Sequence, residues 1–414
     1  MVSSPAVAIW KTATVFPLLV SALLTVPAAA QPQPAPGVRL RSVAADPATG
    51  VARAIVVEEG ALVHTALMFP EDRNGRLQGG TDAGAQAARV LSNIEVALRE
   101  ARTTLDHLVR LHVYVADPSV TPRVDKFLAE RFGARRTQPA VTFVETEMPK
   151  AGALVAMDAV AATAWAAAPG TAIRLTAAGL PQRTAGASHV AIQPAGPFVI
   201  VSGRAARGEF EPAIRETLAQ LRGDLETAGL TFDHVVQIKS FLGDMRNARR
   251  LEEIVASALG GRRVPPQVVT EWRQESVPAE IELVATAPRA TDSRRRVEHV
   301  EAIGGRYSRI ARANDGQPIF VSGLYGTSAD PVAQVGEMFS ELQRVLRDAG
   351  SDIRHLVKAT YYVSDTAADE RINAIRPTIY DPEHPPAASK LSVRGTGRAG
   401  RASTFDMIAV TTAR

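Results

Sequence analysis

The chain has 414 residues, is 46% hydrophobic and contains no cysteine. That is enough apolar content for two to four packed domains and too much for a disordered chain, while the missing thiols exclude disulfides, a cysteine nucleophile and thiolate metal sites. The net charge of +4 conceals 47 cationic residues against 43 acidic ones, and no basic run with interleaved aromatics marks a nucleic-acid groove, so nucleic acid is not an expected partner.

The N-terminus reads as a secretory leader. Lys11 precedes the apolar run 12–26, and small residues follow up to Ala30. A positive start, a short apolar core and an A-x-A site are the parts of a signal peptide, so residues 1–30 are expected to be removed after Ala30. Pro17 and the shortness of the run argue against a retained membrane anchor. The expected location is outside the cytoplasm, periplasmic or secreted, with no membrane attachment after cleavage.

Beyond the leader the chain repeats itself. The windows 93–117 (NIEVALREARTTLDHLVRLHVYVAD), 220–244 (QLRGDLETAGLTFDHVVQIKSFLGD) and 341–365 (ELQRVLRDAGSDIRHLVKATYYVSD) align without a gap. Each opens in an amphipathic helix, with Leu91, Ile94 and Leu98, or Leu218, Leu221 and Leu225, or Phe339, Leu342 and Leu346 at helical spacing. Gly229 and Gly350 follow the last turn where a left-handed residue is expected, and Arg102 takes that place in the first window. Each window closes as a strand rich in branched and aromatic residues. Apolar strands precede the windows at 61–67, 198–202 and 319–322; a second helix and two more strands follow. The breaks AAAPG at 166–170 and PRATDSRRR at 288–296 then divide the chain into copies at 38–163, 172–287 and 297–412, too long for a solenoid repeat and suited to independent α+β units.

Val201-Ser202-Gly203, DHVVQIKSFLGD, Pro265-Pro266 and AEIELVATA in copy two, and Tyr307-Ser308, Val321-Ser322-Gly323 and DMIAV in copy three, resemble the RidA (YjgF, "endoribonuclease L-PSP") family from end to end. The resemblance implies an α+β, chorismate-mutase-like unit with two helices on one face of a mixed sheet, three units grouped about a threefold axis and ligand clefts between neighbours. Three copies in one chain then imply a monomer acting as its own internal trimer. Active family members hydrolyse enamines and imines to ammonia and a keto acid, without a cofactor or metal.

The same resemblance exposes departures. The family's carboxylate-binding arginine falls at Val141, Gln267 and Ala388, and its glutamate on the final strand at Ala156, Glu280 and Thr404. An aromatic hydroxyl survives as Tyr307, with Ala52 and His189 at the matching places, and copy one has Thr65-Ala66 in place of Ser-Gly. Glu280 is therefore the candidate for catalysis. Gln267, Glu280, Ser202, Gly203, Tyr307, Ser322, Gly323 and Lys390 are the candidate ligand-binding residues, with Lys390 or Arg394 able to replace the lost cation if Gln267 and Glu280 face copy three in one composite cleft. The leading functional expectation is an exported protein that binds a small anionic or carbonyl-bearing metabolite between copies. An imine or enamine deaminase with a rearranged site and a non-catalytic partner-binding protein are the alternatives.

Other residues carry bland readings. His107, His234 and His355 recur at one place in the windows and are expected to make local hydrogen bonds at the start of a strand rather than a metal site. Ser202 and Ser322 lack the surroundings of a nucleophile elbow. Gly79-Gly80 and the run 323–326 lack a P-loop ending, and GTGRAG at 395–400 reads as a hairpin turn between the last two strands. Trp165, Trp272 and Tyr380 are expected in cores or interfaces.

Overall fold

The computed structural model describes residues 1–2, 37–45, 51–133, 138–290, 293 and 295–412; the leader read from residues 1–30 lies almost wholly outside them. Among the described residues no helix is long and apolar enough to cross a membrane.

One run of elements occurs three times. Copy one comprises β1 (Arg39–Val43), β2 (Ala54–Glu59), β3 (Ala61–Thr65), α1 (Ala83–Glu100), β4 (Leu108–Val115), α2 (Thr121–Phe132), β5 (Ala140–Glu145) and β6 (Val155–Thr163). Copy two comprises β7 (Ile173–Leu175), β8 (Val190–Gln193), β9 (Phe198–Arg204), α3 (Phe210–Thr227), β10 (Val235–Leu242), α4 (Ala248–Ala258), β11 (Gln267–Glu271) and β12 (Ala279–Thr286). Copy three comprises β13 (Val297–Ile303), β14 (Tyr307–Ala313), β15 (Pro318–Leu324), α5 (Pro331–Asp348), β16 (Leu356–Val363), α6 (Thr366–Ile379), β17 (Ala387–Ser392) and β18 (Ser403–Val410).

The helix ends follow from local chemistry. Asp82 caps α1 by accepting from the amides of Gly84 and Ala85, and Asp330 caps α5 through Val332 and Ala333. Gly229 and Gly350 adopt φ of +71° and +80°, and Arg102 adopts +55° at the same place, so the first copy accepts the strain of a left-handed non-glycine residue. The apolar stripes of α1, α3 and α5 then pack on the sheet of their own copy, giving each copy its own core.

Within each copy the last strand lies antiparallel to the strand after the first helix, and the strand after the second helix lies parallel on that strand's other side. The segment 395–400 is therefore a crossover and not a hairpin turn: β16 stands between β17 and β18. It reaches copy one instead, where the Glu145 amide donates to the Gly395 carbonyl at 2.9 Å.

Strands also pair between copies, in a cycle. β3 of copy one pairs antiparallel with β8 of copy two, β9 of copy two with β14 of copy three, and β15 of copy three with β2 of copy one. The sheet faces turned away from the helices share a further core, to which Ile55 and Val109, Ile200 and Val236, and Phe320 and Val357 contribute from the three copies.

A buried layer of charge adjoins this core. The acid on the last strand of each copy meets a cation from the following copy: Asp158 with Lys239 at 3.6 Å, Glu282 with Lys358, and Asp406 with Arg110 at 3.1 Å. His112 lies between Asp158 and Asp406, with Nδ1 at 3.1 Å from the first and Nε2 at 3.0 Å from the second, and Lys239 Nζ is 3.0 Å from Nδ1. Burial alone would raise the two aspartates, but Lys239 and His112 at Asp158, and Arg110 and His112 at Asp406, more than offset it and hold both well below the usual carboxylate range. Burial in turn pushes the Lys239 ammonium down to about 8, against the pull of Asp158.

Candidate functional site

Each inter-copy strand pairing ends in a cleft, and a short polar contact shows which residues face one another there. In the first-to-second cleft the Leu67 amide donates to the Gln267 carbonyl at 3.0 Å. In the second-to-third cleft the Ala388 amide donates to Ser202 Oγ at 2.8 Å. In the third-to-first cleft the Gly323 amide donates to Thr142 Oγ1 at 2.9 Å. The position of the lost arginine in one copy thus faces the Ser-Gly position of the copy before it.

This arrangement separates Gln267 from Glu280. Gln267 belongs to the first-to-second cleft, where it is buried and neither side-chain amide atom has a hydrogen-bond partner among the described residues. Glu280 belongs to the second-to-third cleft, since its carboxylate packs against the Cα of Gly203. The single composite cleft that the sequence left open does not form, because β11 and β12 flank β10 on opposite sides.

In the second-to-third cleft Ser202 donates to the Ser308 carbonyl at 2.6 Å and accepts from Ala388, so its hydroxyl ties two copies together. Glu280 Oε1 is inaccessible and has no hydrogen-bond partner among the described residues. Burial pushes the Glu280 carboxyl up to about 7; the Ser389 hydroxyl, which donates to Glu282 at 2.8 Å, opposes the rise only in part, and Glu282 adds to it. Tyr307 is half-buried, with the Arg309 guanidinium 5.4 Å from its ring centroid. Lys390 is bound to Asp369 of α6. Arg394, the other expected substitute cation, pairs with Glu271 at 2.6 Å and Glu147 at 2.7 Å.

Strand register also corrects the counterparts of Tyr307. Ile310 pairs with Val201, Ala54 with Val321, and Ala191 with His64. Counting back from these pairs places Val51 and Ser188 at the Tyr307 position, one residue before Ala52 and His189. Arg309 and Arg53 become counterparts.

A guanidinium absent from β5, β11 and β17 is therefore found near each cleft on another segment of the same copy. Arg53 donates to the Gly323 carbonyl at 3.1 Å, and Arg183, from the segment before β8, donates to the Leu67 carbonyl at 2.8 Å. Arg309 acts electrostatically on Glu280. The third-to-first cleft opens into a cavity of about 540 Å³ whose walls include Arg53, Val141, Phe143, Gly323, Tyr325 and Arg398. Arg398 lies over the Phe143 ring at 4.4 Å and pairs with Asp125. The first-to-second cleft opens into one of about 490 Å³ lined by Arg73, Lys150, Arg183, His189 and Glu252. Both volumes suit a small-molecule site. None of these arginines was singled out from the sequence, since nothing local distinguishes them from the many surface arginines.

The remaining candidates settle simply. Ser322 is buried and donates to Asp406 at 2.8 Å. His107, His234 and His355 each make a local hydrogen bond, to Thr103 at 3.0 Å, Thr231 at 3.1 Å and Asp352 at 2.9 Å. Trp272 lies in an apolar cluster shared by the copies, and Tyr380 in the core of copy three.

The threefold repeat is also found by comparison with a protein family. The family pattern described as Endoribonuclease L-PSP matches the chain three times, over residues 44–163, 181–288 and 299–399. No curated protein matches. Among solved structures, the chain is similar to a protein of unknown function of the conserved Rid family from Yersinia pestis (24% identity, 30% of this chain and 98% of that one, TM-score 0.28). It is also similar to a YjgF family member from Mycobacterium tuberculosis (30% identity, 30% and 100%, TM-score 0.21) and to another from Neisseria meningitidis (22%, 28% and 97%, TM-score 0.23). With its pattern matched three times over most of the sequence, the chain belongs to the RidA/YjgF, or endoribonuclease L-PSP, family as three tandem copies.

Proposed function

We propose that this protein is exported, works as a single-chain internal trimer, and binds a small anionic or carbonyl-bearing metabolite in the clefts between its copies. The observation that carries the reading is the return of a guanidinium to each cleft by Arg53, Arg183 and Arg309. A guanidinium fork grips a planar carboxylate through two charge-assisted hydrogen bonds, and it does so from whichever segment carries it. In the third-to-first cleft, apolar walls at Val51, Leu128 and Val141 supply a surface for the ligand's body.

Calorimetric titration with pyruvate, 2-oxobutanoate and phenylpyruvate tests this. Binding is expected for the natural chain, and the combined change of Arg53, Arg183 and Arg309 to Ala should weaken it by tenfold or more, about 1.4 kcal/mol. Equal affinity in that variant, with its melting temperature retained, overturns the reading.

A second reading, hydrolysis of an imine or enamine, is favoured by Glu280, whose carboxyl, pushed up to about 7, is poised to exchange a proton near neutral pH. Ammonia release from freshly generated iminopropionate, lost on Glu280→Gln, is its expected sign.

A further inference from the structure

Lys390 stands on β17, in the copy that meets Ser202 of copy two through Ala388. Phe143 pairs in register with Val113, and Lys390 with Tyr361, and these partners hold the same place in the aligned strands β4 and β16. Lys390 is therefore the counterpart of Phe143, a residue that lines the third-to-first cavity.

Among the described lysines its exposure is close to that of Lys150 alone, whose side chain is 31% exposed. Lys239 and Lys358 have side chains only 2% exposed and are sealed in the buried charge layer, whereas Lys126 is 79% exposed. Lys150 is paired with Glu71 and donates to the Gly75 carbonyl at 2.7 Å. Lys390 is intermediate, with a side chain 23% exposed, so it is partly stripped of water yet reachable. The charged groups that act on Nζ are Asp369 and Arg376 from α6 and Arg306 from the turn before β14. Burial lowers the Lys390 pKa, the two guanidiniums lower it further, and the Asp369 carboxylate opposes them. A desolvated amine beside other cations is the setting in which lysine serves as a nucleophile, and Asp369, already in hydrogen-bond contact, is a ready acceptor for the proton that must leave first.

We propose that Lys390 forms a Schiff base with a keto acid held in the second-to-third cleft; this rests on the reading that the cleft takes a carbonyl metabolite. Nζ passes a proton to Asp369, and its lone pair then forms a C–N bond to the carbonyl carbon while the C=O π pair moves to oxygen. The attacking nitrogen, now positively charged, passes one of its two protons to that oxygen, which gives the neutral carbinolamine. The proton held by Asp369 then goes to the hydroxyl, the C–O bond breaks with its electron pair leaving on water, and the nitrogen lone pair closes the C=N bond as a protonated imine beside the regenerated Asp369 carboxylate. The step is a condensation with loss of one water and needs no oxidant or reductant. Arg306 and Arg376 supply positive charge for the ligand's carboxylate.

The test is borohydride trapping on the full chain with pyruvate, 2-oxobutanoate and phenylpyruvate, followed by peptide mass mapping, with calorimetry of the same ligands run in parallel. The expected result is a reduced adduct on the Lys390 peptide, about tenfold above Lys126 and Lys150, and its loss in both Lys390→Arg and Lys390→Gln. Binding heat with no adduct, or with adducts spread over lysines according to exposure, overturns the Schiff base and leaves the cleft reading intact. Neither heat nor adduct with any of the three acids overturns both.

Discussion

Gly203 and Glu280 are packed so closely that a methyl group on the glycine would overlap the glutamate's carboxylate. The absence of a side chain at residue 203 is what lets a carboxyl from β12 fold back against β9.

The first prediction follows from that packing. Gly203→Ala should swing the Glu280 side chain out of its niche and destabilise the chain by ~1–3 kcal/mol. The titration near pH 7 should disappear with it. Chemical denaturation and a carboxyl-selective NMR titration check both outcomes.

Glu280 also ties stability to pH. Its folded-state pKa of about 7 stands above the ordinary 4.5, so between those values the folded chain binds more protons than the unfolded one. The stabilisation is complete below pH 4.5 and is lost as pH rises through 7, by up to ~3 kcal/mol. Glu280→Gln should flatten the stability profile in that window and leave the variant more stable than the natural chain at pH 8.

The buried charge layer should be costly to break. Arg110→Met leaves Asp406 buried beside only part of its compensation, and a loss of ~3–5 kcal/mol is expected. Removing Arg250 from its surface pair with Glu211, where the side chains are 46% and 42% exposed, should change stability far less. Urea unfolding of the two variants side by side measures the contrast.

Because the strand pairings between copies run in a cycle, a second chain is not required to complete any of the three. Light scattering coupled to size exclusion should give the mass of one chain, close to 44.0 kDa less any leader removed. A mass of three chains would contradict the internal-trimer proposal.

Much of the fold was legible because it is written in short-range patterns. The stripe Leu218, Leu221 and Leu225, the left-handed residues Gly229 and Gly350, and the gap-free windows each report on a few neighbouring residues. The clefts depend on long-range register, which such patterns do not encode: Arg53 and Gly323 are 270 residues apart. The one-residue displacement of Val51 and Ser188 from Ala52 and His189 arises at the strand starts, where no apolar alternation fixes the pairing. One signal was available and unused. β4, β10 and β16 carry polar residues at alternate positions, Arg110 and His112, Gln237 and Lys239, Lys358 and Thr360, and each final strand carries an acid at Asp158, Glu282 or Asp406. Opposite charges in strands otherwise apolar are expected to meet one another in the interior.

The cyclic pairing of unlike copies has a consequence for how this protein can change. In a ring of identical subunits, any substitution appears at every junction at once. Here Lys239, Lys358 and Arg110 each serve one junction only, as do Gln267, Lys390 and Phe143. A single codon can thus alter one junction while the other two keep their chemistry, and the three junctions can diverge on a scaffold that symmetry would otherwise hold uniform.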